Sequence, residues 1–562
     1  MNQPNYRPET LFSLLERQLP ADAFVGMAGE LEQLVQRVRP GSGDIWQLGE
    51  KAEREPPRHV PVDAWGGRVD RIECSTAWRE LEAVAAEEGI VATGYERRLG
   101  DLSRLEQMAR LFLFHPASAM YSCPLAMSDG AARILELFGD TELRKGPLRR
   151  LTSRDPGDVW TSGQWMTELA GGSDVSGTAT VARNEGGEWR LYGEKWFASS
   201  ITSQMALVLA RAVDAGGADH GLSVFLVEPW DTDSVLRGIR VERLKNKLGT
   251  VALPTAELTL NGVRGRIIGE PGRGVSTISS MLTVTRFYNT TCAAAWMRHG
   301  VWLARDYSAR RSAFGRRLRD LPAHAETLAS LEVECTAALH LAARVAVLLG
   351  REECGTASAA DSAILRLLVP VAKLYTGRQA VAVASEVVEC FGGAGYVEDT
   401  GIPRLLRDAQ VLSIWEGTTN VLAVDTLRAL DTRNTDVLGA WLAEMDRIAT
   451  RSITNMTLGD AARALRGATH RTGGYVTAVM SSEDVEGAQA GARGLAFAIA
   501  RISAGALMLE HAQGALDAGS GDAAFATAAV QRWCRKDLSP LAGASPEECD
   551  EVAALLGEPA SG

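Results

Sequence analysis

The apolar residues of this chain change their spacing twice, and that alternation limits the fold more than any single motif. From residue 11 to about 151 they recur at helical intervals, as at Leu14, Leu15 and Leu19 and again at Leu31, Leu34, Val35 and Val38. Pro40-Gly41 and Pro56-Pro57 break the pattern, so the first domain should be helical with a loop over about 41–62. Between about 160 and 272 the rhythm shortens: Ala206-Leu-Val-Leu-Ala-Arg211, Leu222-Ser-Val-Phe-Leu-Val-Glu228 and Ala256-Glu-Leu-Thr-Leu260 are apolar or alternating runs separated by Gly, Asp and Pro. Such runs read as the strands of a β-sandwich or barrel. After Gly269-Glu-Pro-Gly-Arg-Gly274 the helical period returns over roughly 275–312, 322–349, 356–391 and 420–430, lengths that suit a four-helix bundle.

Residues 434–562 are again Ala-rich and helical in rhythm, with breaks expected at Gly473-Gly474 and Gly519-Ser-Gly521, and the Ala/Gly-rich tract 487–506 reads as a tightly packed helix. The expected architecture is therefore α+β and multidomain: an N-terminal helical domain over 1–158, a central β domain over 159–272, a four-helix bundle over 273–432 and an additional helical region over 433–562. At roughly 150 residues per domain, a chain of 562 residues has room for these parts.

Composition narrows the function classes. Apolar residues are 46% and charged residues 23%, the proportions of an ordinary folded chain. Lys plus Arg number 59 against 70 Asp plus Glu, a net charge of −11, so no global positive field draws the protein to nucleic acid or anionic lipid. The first twenty residues lack a continuous apolar segment, so neither a signal nor a transit peptide is expected and the cytoplasm is the expected location. No apolar run approaches the roughly 20 residues that cross a bilayer, and no membrane association is expected. Eight cysteines lie far apart without a C-x-x-C pair, which fits reduced thiols better than disulfides or a metal site.

Three segments carry the chemistry. The first is Trp165-Met-Thr-Glu-Leu-Ala-Gly-Gly-Ser-Asp174, followed by Gly193-Glu-Lys-Trp-Phe-Ala-Ser199. The second is Arg311-Ser-Ala-Phe-Gly315. The third is Phe391-Gly-Gly-Ala-Gly-Tyr396, running on through Arg407-Asp408 to Ser413-Ile-Trp-Glu-Gly-Thr-Thr-Asn420. Taken alone, Gly-Gly-Ser-Asp is an ordinary turn, Phe197 an ordinary core aromatic and Gly-Gly-Ala-Gly a helix C-cap. In this order they resemble the acyl-CoA dehydrogenase family of flavoproteins over about residues 10–432. Leu244-Lys-Asn-Lys-Leu-Gly249, Trp415-Glu-Gly and the added C-terminal region resemble the AidB-type, alkylation-response branch.

The resemblance implies FAD as cofactor. A flavin requires donors along its heteroatom edge and an apolar wall against its ring. By resemblance Met166, Thr167, Ser173, Phe197, Ala198 and Ser199 line that pocket, Ser199 at the position that contacts the isoalloxazine, with Trp415, Thr418, Asn420 and Arg428 also near the cofactor. Arg311 and Phe314 match positions that reach the FAD of a neighbouring subunit, where a guanidinium fork suits the pyrophosphate. This implies a homotetramer. Gly392 and Gly393 would let backbone approach the nucleotide, although Glu389 stands where the family usually has Gln.

Glu416 matches the family's common base position, the carboxylate that removes the substrate α-proton while hydride leaves the β-carbon for flavin N5. An alternative base position holds Thr285, which cannot serve. Arg286, Trp415 and Gly417 correspond to substrate-contacting positions, and the pocket's shape is expected to depend on the surroundings of Tyr121, Ser122, Trp415 and Arg428. The implied activity is FAD-dependent α,β-dehydrogenation of an acyl-CoA or acyl-carrier-protein thioester, with an electron-transfer flavoprotein or oxygen as electron acceptor. The alternatives are a flavin-dependent oxidase or hydroxylase on the same fold, and a DNA-associated protective protein. Against the last, residues 431–562 hold eleven Lys plus Arg and seventeen Asp plus Glu, a local balance of −6, so DNA is not an expected partner. No metal constellation and no Ser/His/Asp arrangement can be extracted from the scattered histidines.

Overall fold

The computed structural model describes residues 6–231, 235–431, 436–482, 484–541, 551 and 554–557. Its contacts divide the chain into two units, one made of Gly29–Arg98 and Glu106–Tyr288, the other of the residues up to Ala28, Leu99–Leu105 and the chain from Asn289 onward.

The first unit holds the β domain. A hairpin, β1 (Arg58–Val62) and β2 (Arg68–Glu73), precedes β3 (Ser162–Trp165), β4 (Val181–Glu185), β5 (Glu188–Ser199), β6 (Met205–Val213), β7 (Asp219–Val227), β8 (Ile239–Leu244) and β9 (Thr255–Ile268). β4, β5, β9, β7 and β6 pair in sequence, and β6 also pairs with both β7 and β4, which closes a barrel. β3 continues the edge of β6, and β8 flanks β9.

Strand periodicity explains why β6 reads as one apolar run. Ala206, Val208 and Ala210 point into the barrel with Trp165, Phe225 and Val241. The alternate residues Met205, Leu207 and Leu209 face Ile134 and Leu135 of the Ser122–Phe138 helix and Ile278 and Met281 of the helix that follows the barrel. Both faces are buried, so hydrophobicity does not alternate.

The expected loop over 41–62 is not a loop. Asp44–Arg54 is a helix, and β1 pairs antiparallel with β2. Pro56-Pro57 ends that helix, but the chain beyond it re-forms backbone hydrogen bonds as a hairpin.

The second unit is helical. Within it are most of the long helix Gly274–Arg310, then Pro322–Cys354, Ala359–Cys390, Ile402–Leu412 and Thr419–Leu430, followed by Val437–Ser452, Gly459–Ser481, Val485–Asp517 and Ala523–Cys534. Ala359–Cys390 starts where Ser358 and Asp361 form a reciprocal capping box. The break expected at Gly473-Gly474 does not occur: Gly459–Ser481 runs through it, because Gly473 lies where a Cβ would sit 2.9 Å from Leu442.

The C-terminal helices pack on the bundle. Leu374, Leu422 and Ala423 share a cluster with Ala492 and Ala496, and the buried indoles of Trp441 and Trp533 donate to Ser503 Oγ and the Arg501 carbonyl. The stripe Leu495, Ile499, Ile502, Ala506 and Leu509 is buried throughout. Contrary to the reading from apolar runs, Pro322–Cys354 and Val485–Asp517 are long and apolar enough to cross a bilayer, yet 94% and 72% of their apolar windows are packed inside the protein.

Candidate active site

The candidate residues of the barrel lie on two strand ends bound together by one buried ion pair. Lys195, fully buried on β5, donates to Glu168 Oε1 at 2.7 Å and to the Leu209 carbonyl at 2.9 Å. Glu168 also accepts from the Ala179 and Thr180 backbone amides at 2.7 and 3.1 Å. Burial raises the Glu168 carboxyl, but hydrogen bonds from Lys195 and Thr180 more than offset this, so Glu168 titrates below an ordinary carboxylate. The pair fixes the Thr167–Gly172 turn against β5, where the Trp196 amide donates to the Thr167 carbonyl at 3.0 Å.

Beyond Lys195, β5 bulges. Lys195 pairs with Leu258 and Ala198 with Ala256, so Trp196 and Phe197 together occupy one extra position. A bulge re-aims side chains. Phe197 is accordingly 51% exposed although it lies within a strand, and the Lys245 ammonium sits 3.3 Å from the Trp196 ring centroid and 4.5 Å from that of Phe197. Ser199 follows, paired with Thr255 across the sheet, and Ser200 takes a left-handed conformation at φ 56°. Met166 is buried in the cluster between barrel and helices, and Ala198 lies in the barrel core, where it offers a ligand only its backbone. Thr167 is half-buried and Ser173 exposed.

These residues fit a flavin. An exposed aromatic at Phe197 and short hydroxyls at Thr167, Ser173 and Ser199 offer a ring face and hydrogen-bond donors, while the Glu168 carboxylate is withdrawn into its pair with Lys195. The buried Oε1 of Gln164, two residues before Met166, lacks a hydrogen-bond partner among the described residues.

In the helical unit Glu416 sits on the turn between Ile402–Leu412 and Thr419–Leu430, half-buried, with a left-handed backbone at φ 58°, and Gly417 follows at φ 105°. Two residues one turn apart on Ala359–Cys390 hold this turn. Lys373 Nζ donates to the Gly417 carbonyl at 2.6 Å. Gly377 lies so close that a Cβ there would be 2.5 Å from the Leu412 carbonyl oxygen. A non-glycine residue held left-handed stores strain of about 1 kcal/mol or more, characteristic of functional turns. Trp415 is half-buried, whereas Thr418, Asn420 and Arg428 are exposed along the next helix.

Arg311 precedes a short hairpin, β10 (Ser312–Ala313) and β11 (Arg316–Arg317), and Phe314 lies in its turn, which needs positive φ at Phe314 and Gly315. Phe314 is 94% exposed. Tyr307, just before it, stacks on Phe391 at 4.4 Å, which ties the hairpin to the exposed Gly392-Gly393 turn. Arg407 grips Glu398 with both Nη atoms at 2.6 and 2.9 Å, and Arg404 Nε donates to the buried Asp408 at 3.0 Å.

Four further candidates, Arg286, Thr285, Tyr121 and Ser122, lie in the first unit. Arg286 is half-buried, and the Thr285 hydroxyl donates to the Leu282 carbonyl at 3.3 Å. Tyr121 is buried against Glu82 at 2.7 Å, and Ser122 bonds His115 at 2.7 Å. Burial pushes Cys74 and Cys390 up to about 11 and Cys534 to about 12, so these are poor nucleophiles; Cys549 lies outside the described residues.

Contrary to the sequence reading, Ser13, His511 and Asp522 do meet. His511 Nε2 lies 3.0 Å from Asp522 Oδ2 and 3.4 Å from Ser13 Oγ, while Ser13 donates to that same carboxylate. Serine and histidine thus share one acceptor, and the imidazole nitrogen facing Ser13 is the one engaged with Asp522, so the cluster is not a nucleophilic triad. It lines a cavity of about 710 Å³ to which none of the candidate site residues contributes.

Family models match the chain nearly end to end: the adaptive response protein AidB N-terminal domain over 12–155, the acyl-CoA dehydrogenase middle and C-terminal domains over 163–263 and 272–430, and the acyl-CoA dehydrogenase 11 C-terminal domain-like model over 436–557. Acyl-CoA dehydrogenase family member 11 of Caenorhabditis elegans is 42% identical over 521 residues, 90% of this chain and 84% of that protein. The putative acyl-CoA dehydrogenase AidB of Escherichia coli is 31% identical over 400 residues, 70% of this chain and 72% of that protein. The crystal structure of Caenorhabditis elegans ACDH-11 in complex with C11-CoA superposes with a TM-score of 0.92 at 39% identity, covering 99% of this chain and 95% of that one. With its helical, β, helical-bundle and added C-terminal parts in this order, the chain belongs to the acyl-CoA dehydrogenase family, in its AidB-type branch.

Proposed function

We propose that the protein is an FAD-dependent dehydrogenase that introduces an α,β double bond into an acyl-CoA, with Glu416 as the base. The observation that carries this reading is the Glu416 turn, in which a carboxylate is presented on left-handed backbone fixed by a buried lysine and a glycine contact. A carboxylate so anchored can take the α-proton of a thioester without reorganising. Thr167, Ser173, Ser199 and Phe197 would hold the isoalloxazine, Arg311 and the Gly392-Gly393 turn the diphosphate and nucleotide, and Arg286 the thioester end. Bound FAD would supply the acceptor for the β-hydride.

The relative crystallised with C11-CoA supports a medium-length acyl chain. The exposed Phe314 and Tyr396, 94% and 89% accessible, support a homotetramer in which they are covered. Anaerobic mixing with C4 to C16 acyl-CoAs tests the reading: loss of the flavin absorbance band is expected, strongest near C11.

A further inference from the structure

A chain of hydrogen bonds lies behind Ser199, and it starts from a lysine outside the expected flavin contacts. Lys247 Nζ donates to the Leu253 carbonyl at 2.6 Å and to Thr255 Oγ1 at 3.1 Å. Thr255 Oγ1 lies 3.1 Å from Ser199 Oγ across the β5–β9 pair. An ammonium can only donate, so the buried Thr255 oxygen accepts from Lys247, and its one hydrogen is left for another acceptor. Among the described contacts that acceptor is Ser199 Oγ. With Thr255 donating to Ser199 Oγ, the Ser199 hydrogen is left for a partner other than Thr255.

We propose that Lys247, acting through Thr255, holds the Ser199 hydroxyl as a hydrogen-bond donor toward flavin N5; this rests on the flavin reading above. Lys247 and Thr255 are positioning residues, because neither needs to touch the cofactor. In oxidised flavin N5 is an acceptor, so a hydroxyl free to rotate would spend part of its time with a lone pair facing a lone pair. A donor chain starting from a fixed charge removes that orientation.

The test uses two cofactors on the full-length protein. FAD and 5-deaza-FAD, whose N5 is replaced by C–H, are titrated into the apoprotein of the wild type, Lys247→Met, Thr255→Val and Thr255→Ser. The wild type is expected to bind FAD about tenfold more tightly than 5-deaza-FAD, the scale of one aligned hydrogen bond. Lys247→Met and Thr255→Val should both lose most of that preference. Thr255→Ser, which keeps the hydroxyl, should retain it. A merely structural role would weaken both cofactors equally and leave the ratio unchanged, and that result overturns the inference, as does a lost ratio in Thr255→Ser. Because Lys247 is only partly buried, Lys247→Met decides the matter even where Thr255→Val does not fold. A wild type that binds neither cofactor overturns the flavin reading itself, whereas unchanged ratios in protein that binds FAD overturn only the relay.

Discussion

Lys373, fully buried in the helix Ala359–Cys390, donates its ammonium hydrogen to the carbonyl of Gly417, the residue after Glu416, at 2.6 Å. A buried charge is costly unless its hydrogens are satisfied, so this bond stabilises the turn as well as the lysine. Lys373→Met should strip the Gly417 carbonyl of this partner and lower stability by about 1–3 kcal/mol, read as a fall in Tm. Flavin reduction by acyl-CoA should slow as well, while FAD content stays at wild-type level.

Glu416→Gln keeps the shape of the side chain and removes its basicity. Reduction of bound flavin by acyl-CoA should slow by about 10²–10⁴, with FAD occupancy unchanged, as measured by anaerobic stopped-flow absorbance.

The Glu168–Lys195 pair makes a pH prediction whose sign follows from the direction of the shift. Folding lowers the Glu168 carboxyl below its ordinary value of 4.5, so its contribution to stability is complete above that value and is lost as pH falls through the lower, folded one. Thermal unfolding followed from pH 7 down to pH 3 should show this acid limb. In Glu168→Gln the limb should be weaker, and the protein should be less stable at pH 7 because Lys195 loses its carboxylate.

The C-terminal region should bind duplex DNA no better than an ordinary acidic protein. Two of its three clustered cations are already engaged within the chain, Arg532 with Glu326 and Lys536 with Glu334 at 3.1 Å. Fluorescence anisotropy with labelled duplex at low salt should show no submicromolar, steeply salt-dependent binding.

Much of this architecture was legible because helices and strands impose different periods. The bundle segments and the closing helix Val485–Asp517 follow from apolar spacing, and the motif order pointed to the family. The hairpin β1–β2 escaped because prolines and charges mask its alternation, and the Gly473-Gly474 break was wrong because Gly473 serves close packing against Leu442 within a continuous helix. At the site, resemblance singles out Glu416 and Ser199, but it does not reveal the residues that contact them. Lys195 lay within a recognised motif without a role, since nothing in the local sequence says that it pairs with Glu168. Lys373 had one usable signal, a single cation inside the apolar run Leu367–Tyr375, which in a helix implies a buried polar partner. Thr255 meets Ser199 through the β5–β9 register beyond the bulge, and Lys247 reaches Thr255 from the loop between β8 and β9, neither of which the local sequence reveals.

The most direct test of the central claim is anaerobic titration of FAD-loaded wild type and Glu416→Gln with acyl-CoAs from C4 to C16, followed at the flavin absorbance band. Rapid bleaching of the wild type by at least one chain length, with the variant slowed by about 10² or more, is the expected result. A fully FAD-loaded wild type that no acyl-CoA bleaches, or a Glu416→Gln variant reduced at the wild-type rate, would contradict it.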